Sequence, residues 1–563
     1  MKKLLAFILT LVMLLGALAC LPMQVSAVST STDGWDGTTA TKPAGSGTES
    51  DPYLVSSAAN LLWMAEQIGT GGDGGSKKLL EGYFKQTANI DLNGKTMPSI
   101  GYYTSTTTFP IVAGNKIQAF AGVYDGQGYK ISNGYVGYTG QDRNNHAWGT
   151  GLFGVIYGAT VKNVTLSDIH LHTGANKRIS VAGLVVGIAV GNTTPDADFN
   201  QILNCKVDGQ CNLKPTTAKG RDTDSQAPTY YRWGGVVGIA CDTTVKNCTN
   251  AATVRVNGAI GVVGGIVGSM SGGVIEDCVN SGMIRVAAMD TDTITRSGNR
   301  YYGGILGNIP DDNVKTPAIG VTVKNCYNKG NLLAKDSNAE GTLATGSVNA
   351  YFGGILGGAM ANKAEYSIEN CYNKGLITEI SGLTGAKFAS VAGNDASASL
   401  TLNTCYSVDV NGDAADVYCN GISADKVSGC ATRSADMIDT MAQNALDMSL
   451  NCDIYVQKHD DGGKYRFIAT IDGYEWQDGG FTVTLINSEG QKATYTKNVT
   501  KCYESVVADG EPVVDGEGRL FIVIVLSGVE LDDIVSYEVS AFVADGNGTY
   551  YSDVAAKEFS LIA

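Results

Sequence analysis

The sequence predicts an all-β chain: a solenoid of stacked coils with short capping helices, followed by a small β-sandwich. Three observations predict it. Glycine is abundant, 72 of 563 residues, while proline is rare and only 17% of residues are charged, a profile of many tight turns and little solvated helix. A pentapeptide, GG-[IV]-[VL]-G, starts at Gly234, Gly264, Gly303 and Gly353, with a looser form at Gly183. After residue 453 the repeat stops and strands alternate with Gly, Asp and Asn turns.

Taken in order, the first 27 residues stand apart. Lys2 and Lys3 precede the apolar run LLAFILTLVMLLGALACL, and VSA at Val25 to Ala27 fits the small-residue rule for signal peptidase. Cleavage after Ala27 would make Val28 the mature N-terminus. Cys20 raises the alternative of lipid attachment, but Ala17, Leu18 and Ala19 fit such a site poorly. The most apolar later run, GAIGVVGGIVGSM, is shorter than the roughly 20 residues needed to span a bilayer. The expectation is an exported protein, extracellular or associated with the cell surface. The formal charge of −15 becomes more negative when the two lysines are removed, which disfavours nucleic acid and anionic membranes as partners.

A short helix follows. Behind Ser56 and Ser57, Leu61, Leu62, Met64, Ala65 and Ile68 fall at helical spacing before Gly69, a pattern suited to plugging the open N-terminal end of a coil stack.

Each pentapeptide is followed by a second signature: TVKNCTN, VIEDCVN, VTVKNCYN and SIENCYN. The step from Gly234 to Gly264 is 30 residues, within the range of solenoid coils. GGILG itself reads as a strand of the coil, with glycine where a side chain would crowd a neighbour. In VTVKNCYNKG the alternation breaks at Asn325 and resumes after it. Asn163, Asn204, Asn247, Asn325 and Asn370 share this place, with Asp277 substituting once. Asparagine tolerates left-handed backbone, so it can make a one-residue bend, and stacked coils would align these amides in a ladder. The N-x-G that follows supplies the next turn.

GLFGVIYGATVKNVTL, with Gly151, Leu152, Phe153 and Gly154, is similar to the GLUG repeat of bacterial surface proteins. The preceding GSGTESDPYLVSSAANLLWMAEQI, YFKQTANIDLNG and FAGVYDGQGYKISNG resemble the usual opening of such proteins in Gram-positive bacteria. The resemblance implies a right-handed parallel β-helix of the pectin-lyase type over residues 28–452. It says little about activity.

Ser434 precedes Met437, Ile438, Met441 and Ala445, a second amphipathic helix expected to close the other end of the stack. Residues 453–563 then show the strand spacing of a β-sandwich, which resembles the immunoglobulin-like domains that end many exported proteins. No LPxTG-type sorting motif is present.

Cysteines could form a disulfide framework in an exported chain. Five of them, Cys205, Cys248, Cys278, Cys326 and Cys371, instead hold one coil position that Val164 occupies in an earlier unit. A cysteine exchanging with valine reads as a small buried apolar residue stacked on its copies, and in-register parallel side chains suit a bridge poorly. Cys419 and Cys430 are the best remaining pair.

Chemical motifs are sparse. GVVGGIVGSMSGG lacks the P-loop lysine and a following helix. Asp409, Asn411 and Asp413 are similar to the start of a calcium loop, but Ala414 and Asn420 stand where glycine and an acid are required. Asp168, His170 and His172 alternate along a strand and could hold a metal only if a fourth ligand came from elsewhere. No HExxH occurs. No cofactor is expected. A polysaccharide lyase or glycoside hydrolase would need paired carboxylates or a base with a charge stabiliser. Asp222 and Asp224 lie in a polar loop and supply neither by pattern.

Aromatic residues lead into the pentapeptide: Tyr230, Tyr231 and Trp233, then Tyr301 and Tyr302, then Tyr351 and Phe352. Long insertions, about 213 to 229, 284 to 300 and 333 to 350, occupy the same slot and should emerge along one edge. Rings there could stack on sugars or anchor a peptide; alternatively they pack beneath their own loops. The reading is a non-catalytic binding or adhesion protein for a glycan or a surface ligand, with a polysaccharide-active enzyme as the alternative.

Overall fold

A computed structural model describes residues 34–68, 78–103, 117–138, 146–147, 149–173, 178–179, 181–192, 194, 196, 198–213, 232–257, 261–287, 299–310, 319–333, 350–360, 364–378, 386–409, 418–451, 454–458, 465–471, 478–499, 501–503, 505–508, 511–514, 519–527, 529, 533–544, 549–552 and 555–558. The leader, Tyr230, Tyr231, Asp222, Asp224, most of the loop after Asp409 and most of the long insertions lie outside these residues.

Up to residue 432 the strands form three long sheets, almost wholly parallel, with six, eighteen and sixteen strands among the described residues. One coil shows the plan. Val262–Gly264 lies in the six-stranded sheet, Val267–Glu276 in the eighteen-stranded sheet, and Val279–Asn280 with Ile284–Ala287 in the sixteen-stranded sheet. Each segment pairs in parallel with its counterpart one coil earlier and one coil later: Gly234 with Gly264 and Gly264 with Gly303, Val245 with Ile275 and Ile275 with Val323, Asn250 with Asn280 and Asn280 with Asn328. The chain therefore passes repeatedly through the same three sheets, an arrangement compatible with a parallel β-helix.

The pentapeptide is not one strand. It straddles the corner between the six- and eighteen-stranded sheets, and its three glycines meet three different constraints. A Cβ on Gly264 would sit 1.8 Å from the Val267 carbonyl oxygen, one on Gly265 2.4 Å from the amide carbon of Asn280, and one on Gly268 2.5 Å from the Gly238 carbonyl oxygen. The first admits the fold of the corner upon itself, the second a buried side chain and the Gly304 carbonyl of the next coil at 2.1 Å, and the third the coil before it.

Asparagine makes the opposite corner. Asn163, Asn204, Asn247, Asp277, Asn325 and Asn370 all have φ between 48° and 56°. Their side chains form the expected ladder in part: the Asn204 amide donates to Asn163 at 3.1 Å, Asn247 to Asn204 at 2.9 Å and Asn325 to Asp277 at 3.3 Å.

A second ladder is fully buried. Asn250 donates to Asn280 at 2.9 Å, Asn280 to Asn328 at 2.9 Å, Asn328 to Asn373 at 2.8 Å and Asn373 to the Ser407 hydroxyl at 3.0 Å. Each amide also closes its own turn, N-x-G in every case but Asn250, whose partner is Ala252; thus Asn328 Nδ2 donates to the Gly330 carbonyl and Asn328 Oδ1 accepts from Gly330 N–H. These asparagines, together with the backbone carbonyl of the next coil, are the reason the second glycine of each pair must lack a side chain.

The cysteine column is also present, and it is longer than five. Cys205, Cys248, Cys278, Cys326, Cys371 and Cys405 are wholly buried, and the thiols donate to carbonyls of the previous coil, as Cys248 does to Ile202 at 3.4 Å and Cys405 to Ile368 at 3.4 Å. Burial pushes the thiols of Cys248, Cys326 and Cys405 well above their ordinary pKa. All eleven described cysteines are free. The Cys419–Cys430 pairing is not formed: Cys430 follows Cys405 in the column, while the Cys419 thiol donates to the Asn420 carbonyl at 3.5 Å.

Helix α1, Ala58–Ile68, buries Leu61, Leu62, Met64, Ala65 and Ile68 in the same core as Phe84 and Phe120 of the first coils. The Asn60 side chain fixes its start by accepting the Ser56 N–H at 3.0 Å and donating to the Thr41 carbonyl at 2.9 Å. Helix α2, Ala435–Asn451, runs along the side of the stack. Ile438, Met441, Ala442 and Ala445 pack on Tyr327, Tyr372 and Tyr406, which project from successive coils of the sixteen-stranded sheet, and on Phe467 and Tyr537 beyond the repeat. Asp439 accepts from the Tyr327 hydroxyl and the Lys374 ammonium.

The remaining strands are antiparallel. Ile454–Lys458, Tyr465–Ile471 and Leu520–Leu526 form one sheet, and Lys492–Val499, Asp478–Asn487, Ile534–Ala544, Thr549–Tyr551 and Ala555–Glu558 a second. Phe481, Val483 and Leu485 alternate inward from the second sheet to meet Phe467 and Ile522 of the first.

Candidate ligand-binding edge

Five connections leave the sixteen-stranded sheet and re-enter the six-stranded sheet at one corner. They run from Leu213 to Arg232, from Asn257 to Val262, from Ala287 to Arg300, from Leu333 to Ala350 and from Thr378 to Ala386. The insertions recognised in the repeat thus share one edge by their endpoints.

At that edge the six-stranded sheet separates its aromatics by alternation. One row, Ala182, Trp233, Val263, Tyr302, Phe352 and Phe388, faces inward. Trp233, Tyr302 and Phe352 are each about 1% exposed, and Tyr302 stacks on Phe352 at 4.8 Å, which stacks on Phe388 at 5.2 Å. These three rings fill the coil interior and offer no face to a ligand; the alternation that makes the strand half-buried also decides which aromatic is spent on the core.

The other row, Val181, Arg232, Val262, Tyr301, Tyr351 and Lys387, lies on the opposite face of the sheet, and all of it but Lys387 is buried, Tyr301 at 2% and Tyr351 at 6% exposed. Tyr301 and Tyr351 stack at 5.3 Å with planes 9° apart, the Asn299 amide donates to the Tyr301 hydroxyl at 3.1 Å, and the Lys387 ammonium lies 5.7 Å from the Tyr351 ring centre. Burial raises the Tyr301 hydroxyl to about 12, so it is a neutral donor at all physiological pH. Gly358 in the adjoining sheet leaves room for the Tyr301 ring, which a Cβ there would meet at 2.5 Å. Beside it the Ser269 hydroxyl donates to Asn308 at 2.8 Å. Lys387, Ser269 and Asn308 carry no sequence signal, because they occupy outward slots that differ from coil to coil.

Asp168, His170 and His172 lie on one strand of the sixteen-stranded sheet. His170 Nε2 is 3.0 Å from an Asp168 oxygen, and partial burial lowers the His172 pKa. Among the described residues no three His, Cys, Asp or Glu side chains converge in a metal-holding group. Among them, too, no helix is long and apolar enough to cross a membrane.

Compared with protein-family models, curated proteins and solved structures, the chain matches none.

Proposed function

We propose that this chain is an extracellular or cell-surface binding protein, adhesive rather than catalytic, whose ligand is a glycan or a surface protein. The observation that carries the reading is the return of five connections, the three long insertions of the repeat among them, to one corner of a parallel stack. Repeat proteins that hold variable loops on one side of a regular scaffold use that side for contact. At that corner Lys387 is exposed beside the buried Tyr301–Tyr351 pair and offers a cation to a ligand. We read the stack as a right-handed β-helix of the pectin-lyase type with GLUG-like repeats, and the antiparallel unit as an immunoglobulin-like spacer. Export by the leader at residues 1–27 belongs to the same reading.

The test is adhesion of the purified mature chain to a glycan array and to cell surfaces, run beside an assay for new reducing or unsaturated sugar ends. Retention without turnover is the expected result. Product release from any retained polysaccharide would replace the reading with that of a lyase or hydrolase.

A further inference from the structure

The thiol column has an open end. Cys205, Cys248, Cys278, Cys326, Cys371 and Cys405 are wholly buried, whereas Cys430, on the last coil, is half-buried. It holds the column position all the same. Asn403 pairs with Ser428 and Tyr406 with Ala431, which sets Cys405 opposite Cys430. The corner residues just before them, Thr404 and Gly429, have φ of 53° and 66°. Both thiols donate to the carbonyl two residues back, Cys405 to Asn403 at 3.4 Å and Cys430 to Ser428 at 3.6 Å. In-register strands place such side chains side by side, about 4.8 Å apart along the stack. The strands flanking Cys430, Val427–Ser428 and Ala431–Thr432, pair among the described residues only with the coil before them.

Each sulfur also accepts a hydrogen bond. Cys248 N–H donates to the Cys278 sulfur at 3.4 Å, and the N–H groups of Cys371 and Cys405 make the same bond to the sulfurs of Cys405 and Cys430. The Cys405 thiol is bonded to Cys430 as well. An N–H aimed at sulfur favours the thiolate, the form that binds metal.

The column restricts how many sulfurs a cation can meet. Among the described residues no three His, Cys, Asp or Glu converge on one point, and a third sulfur of the column lies a further coil away. A tetrahedral zinc site needs four ligands and is not offered. A linear site needs two. Two metal–thiolate bonds of about 2.3 Å placed end to end span about 4.6 Å, close to the spacing of about 4.8 Å between coils. Soft thiolates select Cu(I) among the first-row ions, and Cu(I) accepts two ligands in line.

We propose that Cys405 and Cys430 hold one soft monovalent cation of the Cu(I) class between two thiolates at the open end of the column. Loading releases both S–H protons to solvent and leaves the occupied pair with a single negative charge, which the Cys371 and Cys405 N–H groups meet. Pairs deeper in the stack share the spacing but have no exposed member, so the column takes one ion at its end rather than a filament along its length. The inference is independent of the reading of the chain as a binding protein.

The experiment is an anaerobic titration of the full mature chain, reduced beforehand, against the coloured Cu(I)–bicinchoninate complex. One equivalent of copper should leave the dye, and an excess of Zn(II) should not prevent it. X-ray absorption at copper should show two sulfur neighbours and no nitrogen or oxygen. Loss of an outer-shell partner already costs a metal site about tenfold in affinity. Cys430→Ser removes a ligand while keeping a hydrogen-bonding group, so it should weaken uptake by more than that. Cys405→Val should do the same. Cys502→Ser, at an exposed thiol outside the column, should leave uptake unaltered, with circular dichroism confirming the fold of each variant. No withdrawal of copper, unaltered uptake in folded Cys430→Ser or Cys405→Val, loss of uptake in Cys502→Ser, three or more neighbours at copper, or displacement by Zn(II) would overturn the proposal.

Discussion

Asn328 has no route to water. Its amide donates to Asn373 and to the Gly330 carbonyl, and its oxygen accepts from Asn280 and from Gly330 N–H. Removing it strands groups on three neighbours, and a buried polar atom left unpaired costs about 1–3 kcal/mol. Asn328→Ala should therefore lose about 2–4 kcal/mol in urea denaturation. Asn204→Gly, in the partly exposed ladder, keeps the left-handed backbone and lets water replace the amide, so its loss should stay under about 1 kcal/mol. Similar losses at the two positions would show that the buried ladder has no special weight. Asp242 behaves differently. Burial and the nearby Asp196 raise its pKa to about 6 against the Asn192 N–H that favours its anion. Its folded pKa thus exceeds the unfolded value of about 3.9, so the folded state holds the extra proton between them. Stability from this group is complete below about pH 4 and is lost as pH rises through about 6. Asp242→Asn should flatten that slope and raise stability at pH 7 by about 1–2 kcal/mol, reduced from the full shift because the site is not fully sealed. A denaturation series from pH 4 to 7 on both proteins reads it.

Columns, rather than single contacts, give the coils their cohesion. On the outer face of the eighteen-stranded sheet Asp125, Lys162, Leu203, Lys246, Glu276, Lys324 and Glu369 follow one another in register. Lys162 pairs with Asp125 at 3.6 Å and Lys246 with Glu276 at 3.5 Å, and Glu276 also meets Lys324. Glu276→Lys would stack three ammonium groups and should cost about 2 kcal/mol at low salt, much of it recovered at 1 M NaCl. A loss independent of salt would point to packing instead. The thiol column predicts a chemical count: the unfolded, non-reduced chain should react with at least eleven equivalents of thiol reagent, one for each free cysteine described. Cys326→Val should change stability by less than about 1.5 kcal/mol, because the site is sealed and apolar and valine has a similar volume.

At the scale of the molecule, much of the architecture was legible and much of the site was not. The repeat period, the Asn corner with its positive φ and the thiol column all follow from residues recurring at one place in each unit. The buried Asn250–Asn373 ladder was hidden, because N-x-G already had an adequate local explanation as a turn, and only the sheet register shows that its amides meet the paired glycines. Trp233, Tyr302 and Phe352 were separated from Tyr301 and Tyr351 by strand parity alone, which the sequence leaves free until the corner is placed. The path of α2 was equally hidden: an amphipathic pattern shows that Ile438 and Met441 seek cover, and the cover proves to be the tyrosine column and the sandwich, not the last coil. Since those residues join the stack to the antiparallel unit in one hydrophobic cluster, the two should unfold together. Met441→Asp should split a single calorimetric transition into two. Two transitions already in the unaltered protein would mean that the cluster does not couple them.

The corners at Gly234, Gly264, Gly303 and Gly353 are interchangeable to the depth of their backbone contacts. Removing residues 249–278, or duplicating them, would join one such corner to another with every column still in line. The chain can therefore change its reach in quanta of about 4.8 Å without redesigning an interior. Length becomes a quantity that recombination between repeats can adjust, independently of whatever the side chains on its faces have come to recognise.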